Sequence, residues 1–118
     1  MYPAQSRPIT VPVSFAASGQ NTIITNAPTD NKWVFIKQIE LIPENATTMQ
    51  FIAKNLTTND ERDLTSNASY QLGQGFIFEN FDAQSPFLFE LRVGESLICE
   101  LSAAVACKGF VTYTEHKG

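Results

Sequence analysis

The sequence has few of the side chains on which most enzyme sites depend. Its 118 residues include one histidine, His116, and two cysteines, Cys99 and Cys107. A Ser-His-Asp or Cys-His site would have to use a histidine close to the end of the chain, and no pair among the twelve acidic residues stands out as catalytic carboxylates. A structural zinc ion takes four ligands, more than these three residues supply. We therefore expect a protein that is not an enzyme and that binds no cofactor or metal.

Charge is also scarce, and positive charge most of all. Charged residues make up 17% of the chain, compared with about 25% in typical domains. Twelve acidic and eight scattered basic residues give a net charge of -4. No basic stripe is available to neutralise phosphate groups, which argues against a nucleic-acid partner.

Long apolar runs are missing as well. A membrane-spanning helix needs about 18 or more consecutive apolar residues, and the sequence contains no such run. The stretch after Arg7 resembles a signal peptide only faintly, because Pro8 and Pro12 interrupt it. We expect a chain without a membrane partner that is not exported, with both cysteines packed as small apolar thiols.

What the sequence does contain is regular alternation of apolar and polar residues. Residues 9–17 carry apolar side chains at every second position, which predicts a half-buried β-strand. Pro12 lies inside this strand and cannot donate a backbone hydrogen bond, so the strand is expected at a sheet edge or at a bulge. Residues 32–42 are apolar on both faces, as in a central strand.

The spacing of these segments predicts the fold class. About nine strand candidates recur at intervals of roughly 8–12 residues, with turn residues between them and no helical period. This pattern predicts an all-β fold, a single antiparallel β-sandwich over residues 9–118. Jelly-roll topology is favoured, with an immunoglobulin-like sandwich as the alternative. Residues 1–8 have no apolar period, so we expect them to form an extended N-terminal arm.

The last 25 residues, 94–118, contain two alternating runs joined by small residues. We interpret them as a closing hairpin. Pairing its strands about Ala103 would place Cys99 opposite Cys107, a register that a slip of one residue would change.

Binding residues are expected in the arm and on the edge strand. An extended segment or an unpaired strand edge can add to another protein chain. The candidate partner-binding residues are therefore Tyr2, Pro3, Gln5 and Arg7 in the arm and Pro12 in the edge strand.

Two other patterns allow a ligand. Residues 59–63, with the sequence NDERD, could supply half of a calcium loop, but they lack the EF-hand order, and a solvated tip partly neutralised by Arg62 is the favoured interpretation. Trp33 and Tyr70 could form an aromatic platform for a sugar, although core packing explains Trp33 more simply.

The closing segment resembles a pattern found in small jelly-roll proteins of tailed-bacteriophage virions. In that pattern Gly-Glu-x-Leu and an apolar strand lead to a small-residue hinge, followed by Gly-x-Val-x-Tyr. The matching positions are Gly94, Glu95, Leu97, Leu101, Ser102, Ala104, Gly109, Val111 and Tyr113. Cys107 and Lys108 depart from it, because smaller residues are expected there.

This resemblance implies a capsid decoration (cement) protein. Such a protein is made in the host cytoplasm and sits on the outer surface of the virion capsid, often as a trimer. It clamps neighbouring subunits of the major capsid (coat) protein and has no catalytic site. The alternative function is a carbohydrate-binding module of a virion fibre or tail, which would use the sugar platform or the possible calcium loop.

Overall fold

The computed structural model describes residues 8–72, 74–79 and 89–117, which form ten β-strands and one short 3-10 helix. Alternating β-branched and aromatic residues favour this strand content. The strands are β1 (Ile9–Phe15), β2 (Gly19–Ile24), β3 (Lys32–Pro43), β4 (Thr47–Asn55), β5 (Glu61–Asp63), β6 (Ala68–Tyr70), β7 (Phe76–Glu79), β8 (Phe89–Leu91), β9 (Glu95–Leu101) and β10 (Cys107–Lys117). The 3-10 helix is Pro28–Asp30. Among the described residues, no helix has the length and apolar content needed to span a membrane.

The strands form two antiparallel sheets that pack as a sandwich. The first sheet has the order β1-β10-β3-β7, and β8 also pairs with β3. The second has the order β2-β9-β4-β5, and β6 also pairs with β4. The pairs are nested, because the first strand pairs with the last, the second with the next to last, and so on inward. This nesting is that of a jelly roll, so the predicted all-β sandwich is confirmed in its jelly-roll form.

The core lies between the sheets and is built from alternate residues of each strand. Phe51 of the second sheet contacts two rings of the first, with centroid distances of 4.6 Å to Phe76 and 5.9 Å to Phe89. The most deeply buried members of the cluster are Val34, Ile36, Ile39, Leu41, Met49, Phe51, Ala53, Leu91, Leu97, Cys99, Cys107 and Val111.

The predicted closing hairpin is wrong. The last two strands lie in different sheets, because β9 pairs with β2 and β4, whereas β10 pairs with β1 and β3. Cys99 lies opposite Phe51, and Cys107 lies opposite Phe15 and Pro43. Alternation shows which residues face inward, but it does not show which strand is the neighbour.

The prediction of free, buried thiols is confirmed for both cysteines. Burial raises the pKa of Cys99 to about 12, with smaller contributions from Cys107 and Glu100. The Cys99 thiol is therefore protonated near neutral pH and packs as a small apolar group.

Backbone chemistry explains the positions of a proline and a glycine in the first sheet. Pro12 lies in β1 at the edge of the sheet, as predicted. Gly109 lies opposite Leu41, and a Cβ atom at this position would overlap the backbone carbonyl oxygen of Glu40. Glycine is thus required there by the close approach of β10 to β3.

Candidate functional site

A single row of side chains crosses the outer face of the first sheet. Strand pairing places Pro12 opposite Phe110, Phe110 opposite Glu40, and Glu40 opposite Ile77. Their neighbours along the strands face the core, so these four side chains point outward. We call Pro12, Phe110, Glu40 and Ile77 the outer row. Pro12 is exposed, Phe110 is half-buried and Ile77 is 57% exposed.

Polar groups border the outer row along both sides. On one side the hydroxyls of Thr10 and Thr112 share a hydrogen bond of 2.8 Å. On the other side Lys108 forms an exposed ion pair with Glu44, with an Nζ–Oε1 distance of 3.5 Å. Apolar side chains mixed with polar groups are common in surfaces that bind another protein.

The same face continues toward the start of β3 as an aromatic cluster. Trp33 lies opposite His116, and both are half-buried. The rings of Phe35 and His116 meet edge to face, with centroids 4.8 Å apart. His116 Nε2 lies 3.1 Å from Thr114 Oγ1. The lone histidine is therefore held by ring packing and a hydroxyl.

The outer face of the second sheet is closed by its own polar side chains. Ile98 and its neighbour Ile52 point away from the core, yet they are 1% and 3% exposed. Lys54 Nζ donates a hydrogen bond of 2.7 Å to Gln20 Oε1, and Gln20 Nε2 donates one of 2.8 Å to Glu61 Oε2. Gln20 and Lys54 lie on either side of Ile98 in the register, so their contact spans this residue.

An ion pair fastens one end of the second sheet. Arg62 Nη2 donates to Glu95 Oε1 at 2.7 Å and to the backbone oxygen of Glu90 at 2.8 Å. Burial raises the pKa of Glu95, but the bonds from Arg62 and from the Arg92 backbone N–H, with the charges of both arginines, outweigh it and leave the pKa below its ordinary value. Glu95 therefore stays ionised and bound.

This ion pair changes the interpretation of residues 59–63. Residues 61–63 form β5 and pair with β4, so the connection itself is shorter than predicted, although Glu61 and Asp63 remain exposed to solvent. Arg62 binds Glu95 instead of the acids beside it. Among the described residues, no group of three or more histidine, cysteine or acidic side chains is arranged to hold a metal ion.

The predicted binding residues are distributed as follows. Pro12 is part of the outer row, whereas Tyr2, Pro3, Gln5 and Arg7 lie outside the described residues.

The predicted sugar platform is not assembled. Trp33 lies in β3 of the first sheet and Tyr70 in β6 of the second, where Tyr70 packs against the core. The structure therefore does not bring these two rings together.

Sequence reasoning missed Phe110 and Ile77. The available signal was an apolar residue at the outward parity of a strand, next to inward residues such as Val111. Comparison of the chain with protein-family models, with characterised proteins and with solved structures found no match.

Proposed function

We propose that the chain is a virion structural protein of the capsid decoration (cement) type. It binds the outer surface of a tailed-phage capsid and clamps neighbouring coat subunits. The observation that carries this proposal is the outer row, in which Pro12, Phe110 and Ile77 leave apolar area open on the outer face of the first sheet around the carboxylate of Glu40. The resemblance of residues 94–113 to virion jelly rolls supports the choice of a capsid as partner.

The outer row offers a suitable grip for a protein surface. Phe110 is the anchor, since aromatic residues at the centre of an interface contribute most of its binding energy. Ile77 adds exposed apolar area, and Glu40 between them can accept hydrogen bonds from a partner backbone.

The N-terminal arm extends the surface that can contact a partner. The predicted arm, residues 1–8, precedes β1, the strand that contributes Pro12 to the outer row. An eight-residue segment spans about 26 Å when extended. Tyr2, Pro3, Gln5 and Arg7 can thus contact a coat subunit or a second copy beside the one that the outer row binds.

The mechanism is additive. Each copy, in a trimer, makes a modest interface with the shell. Contacts held at the same time act at high effective concentration, so several weak grips together resist separation of coat subunits.

The test is binding to empty shells assembled from the coat protein encoded in the same genome. The chain is expected to co-sediment with the shells and to raise the temperature at which they dissociate. Phe110→Ser should weaken binding by about 30-fold, as expected for a central interface residue. Shells that sediment without the wild-type chain would overturn the proposal.

A matched pair of variants separates this face from general stickiness. Ile77→Ser lies in the outer row, whereas Leu56→Ser removes a similarly exposed apolar side chain outside it. Only Ile77→Ser should reduce binding, and equal losses from both would contradict the assignment of this face.

The arm is tested by deleting residues 1–8. Sedimentation velocity should show loss of the trimer while circular dichroism shows an intact β-sandwich. A truncated chain that still forms trimers and binds shells normally would remove the arm from the proposal.

A further inference from the structure

Two shallow recesses join on the outer side of the second sheet, where β4 begins. Both are lined by Thr48 and Ser102. One continues to Thr47, Ser69 and Tyr70, and the other to Asn67 and Glu100. We call the first of them, formed by Thr47, Thr48, Ser69, Tyr70 and Ser102, the hydroxyl groove.

Strand pairing sets these hydroxyl groups side by side. Ser69 of β6 lies opposite Thr48 of β4. The Thr48 backbone N–H donates a hydrogen bond of 2.9 Å to Ser102 Oγ, just after β9. Thr48 and Ser69 thus lie on neighbouring strands, which are about 4.8 Å apart, and Ser102 lies beside Thr48 at the end of a third. Ser102 is fixed in place by its bond to the backbone.

The lining of the groove is chemically unusual for this molecule. Besides its five hydroxyl residues, the groove is lined only by Ala46 and Gln71, and no lining residue is charged. The adjoining recess adds one carboxylate, Glu100. By contrast, the recess beside β3 and β10 is lined only by the charged residues Asp30, Lys32, Glu115 and Lys117.

This chemistry selects the class of ligand. A phosphate or an acidic peptide would find no positive charge, and a cation would find a single carboxylate. A purely apolar ligand would bury hydroxyls without hydrogen bonds, which is costly. A neutral ligand that itself carries many hydroxyl groups satisfies the lining.

Several of these groups are available to such a ligand. Within the described part of the chain, the side-chain hydroxyls of Thr48 and Ser69 have no hydrogen-bond partner. Tyr70 is half-buried at the sheet edge, and burial raises its pKa, so it remains a neutral donor with an apolar ring. Glu100 accepts one long hydrogen bond, of 3.4 Å from Gln20.

We propose that the hydroxyl groove binds a neutral saccharide, with Thr48, Ser69 and Ser102 bonding to sugar hydroxyls and the exposed part of Tyr70 bounding the site at the sheet edge. Glu100 accepts from a second sugar unit in the adjoining recess. The site does not depend on the proposed capsid role. It lies on the opposite face of the sandwich from the outer row, so a partner bound to the outer row leaves it open.

The experiment uses the full chain and a panel of neutral sugars: cellobiose, maltose, lactose and chitobiose. Nuclear magnetic resonance titration should shift the backbone amides of residues 47–48, 69–70 and 102 with at least one of them. Thr48→Val and Ser69→Ala should each weaken that binding about fivefold, the effect of one lost neutral hydrogen bond. Thr10→Val, which removes a hydroxyl on the other face, should leave it unchanged.

Three results would overturn the proposal. They are no amide shift with any sugar of the panel at millimolar concentration, shifts confined to the outer row and the cluster near Trp33, and equal binding by wild type and the Thr48→Val variant. Shell binding is measured separately, so loss of one function does not decide the other.

Discussion

The outer faces of the two sheets differ in how far an outward-pointing isoleucine is exposed to solvent. In the second sheet, Ile98 points away from the core and is 1% exposed, because Gln20, Lys54 and Glu61 bond to one another around it. In the first sheet, Ile77 also points away from the core and is 57% exposed. Ile98 is buried within the monomer, and Ile77 is exposed to solvent.

An apolar side chain can stabilise the folded monomer, or it can stabilise a complex in which another surface covers it. Burial of an isoleucine contributes about 1.5–3 kcal/mol to folding, and Ile98 gains this within the monomer. Ile77 gains little of it until another surface covers it. The second sheet therefore covers its outward isoleucine within the monomer, whereas the first sheet leaves part of its apolar surface open to solvent.

The largest expected effect comes from breaking the first sheet itself. Gly109→Ala places a Cβ against the Glu40 carbonyl oxygen, so β10 must move away from β3. We expect a loss of about 4 kcal/mol or more in the free energy of unfolding, measured by urea denaturation. Gly19→Ala is the control, because its positive φ costs about 1 kcal/mol and nothing lies within 4 Å of the added atom. Equal costs for the two variants would show that the close approach at Gly109 is unimportant.

The comparison of the two faces is tested directly by one substitution made twice. Ile98→Ala should destabilise the chain by about 3 kcal/mol, since it leaves a cavity beneath the polar cover. Ile77→Ala should change stability by less than about 0.5 kcal/mol, because the side chain is already solvated. Thermal and urea unfolding of both variants measure the two values. Similar losses would mean that exposure in the monomer does not distinguish the faces.

The smallest expected effect concerns the ion pair at the end of the second sheet. The pKa of Glu95 is lowered in the folded chain, so its stabilising contribution is complete above the ordinary value of 4.5 and is lost as pH falls below it. Stability measured between pH 7 and pH 3 should fall more for the wild type than for Glu95→Gln. Parallel curves for the two proteins would contradict this role of Glu95.

Much of the fold could be predicted from alternation alone. The period of two in residues 9–17 gives the inward face of β1, and Pro12 gives its edge position. Pairing could not be predicted in the same way. Small residues between two alternating runs indicate a hairpin, yet residues 102–106 carry the chain from the second sheet to the first. The choice between these outcomes depends on partners such as β1, which lies about 100 residues away in sequence.

The candidate site was less predictable because it depends on that pairing. The sequence shows that Phe110 is an apolar residue at an outward position. Only the strand register shows that it lies between Pro12 and Glu40. Ile98 has the same pattern and is nevertheless buried. Its cover comes from Gln20 and Glu61, on two other strands, and sequence order does not reveal such a contact.

The pairing of β1 with β10 also has a consequence for how the chain is made. Ile9 pairs with Tyr113, so β1 must wait for β10 to leave the ribosome before the ladder between them can form. Sheets that depend on such distant pairings fold slowly, in milliseconds to seconds. Until β10 emerges, β3 has no neighbour on that side, and the nascent chain exposes strand edges that can aggregate. Emergence of β10, and not of any earlier strand, is therefore the event that permits the first sheet to form.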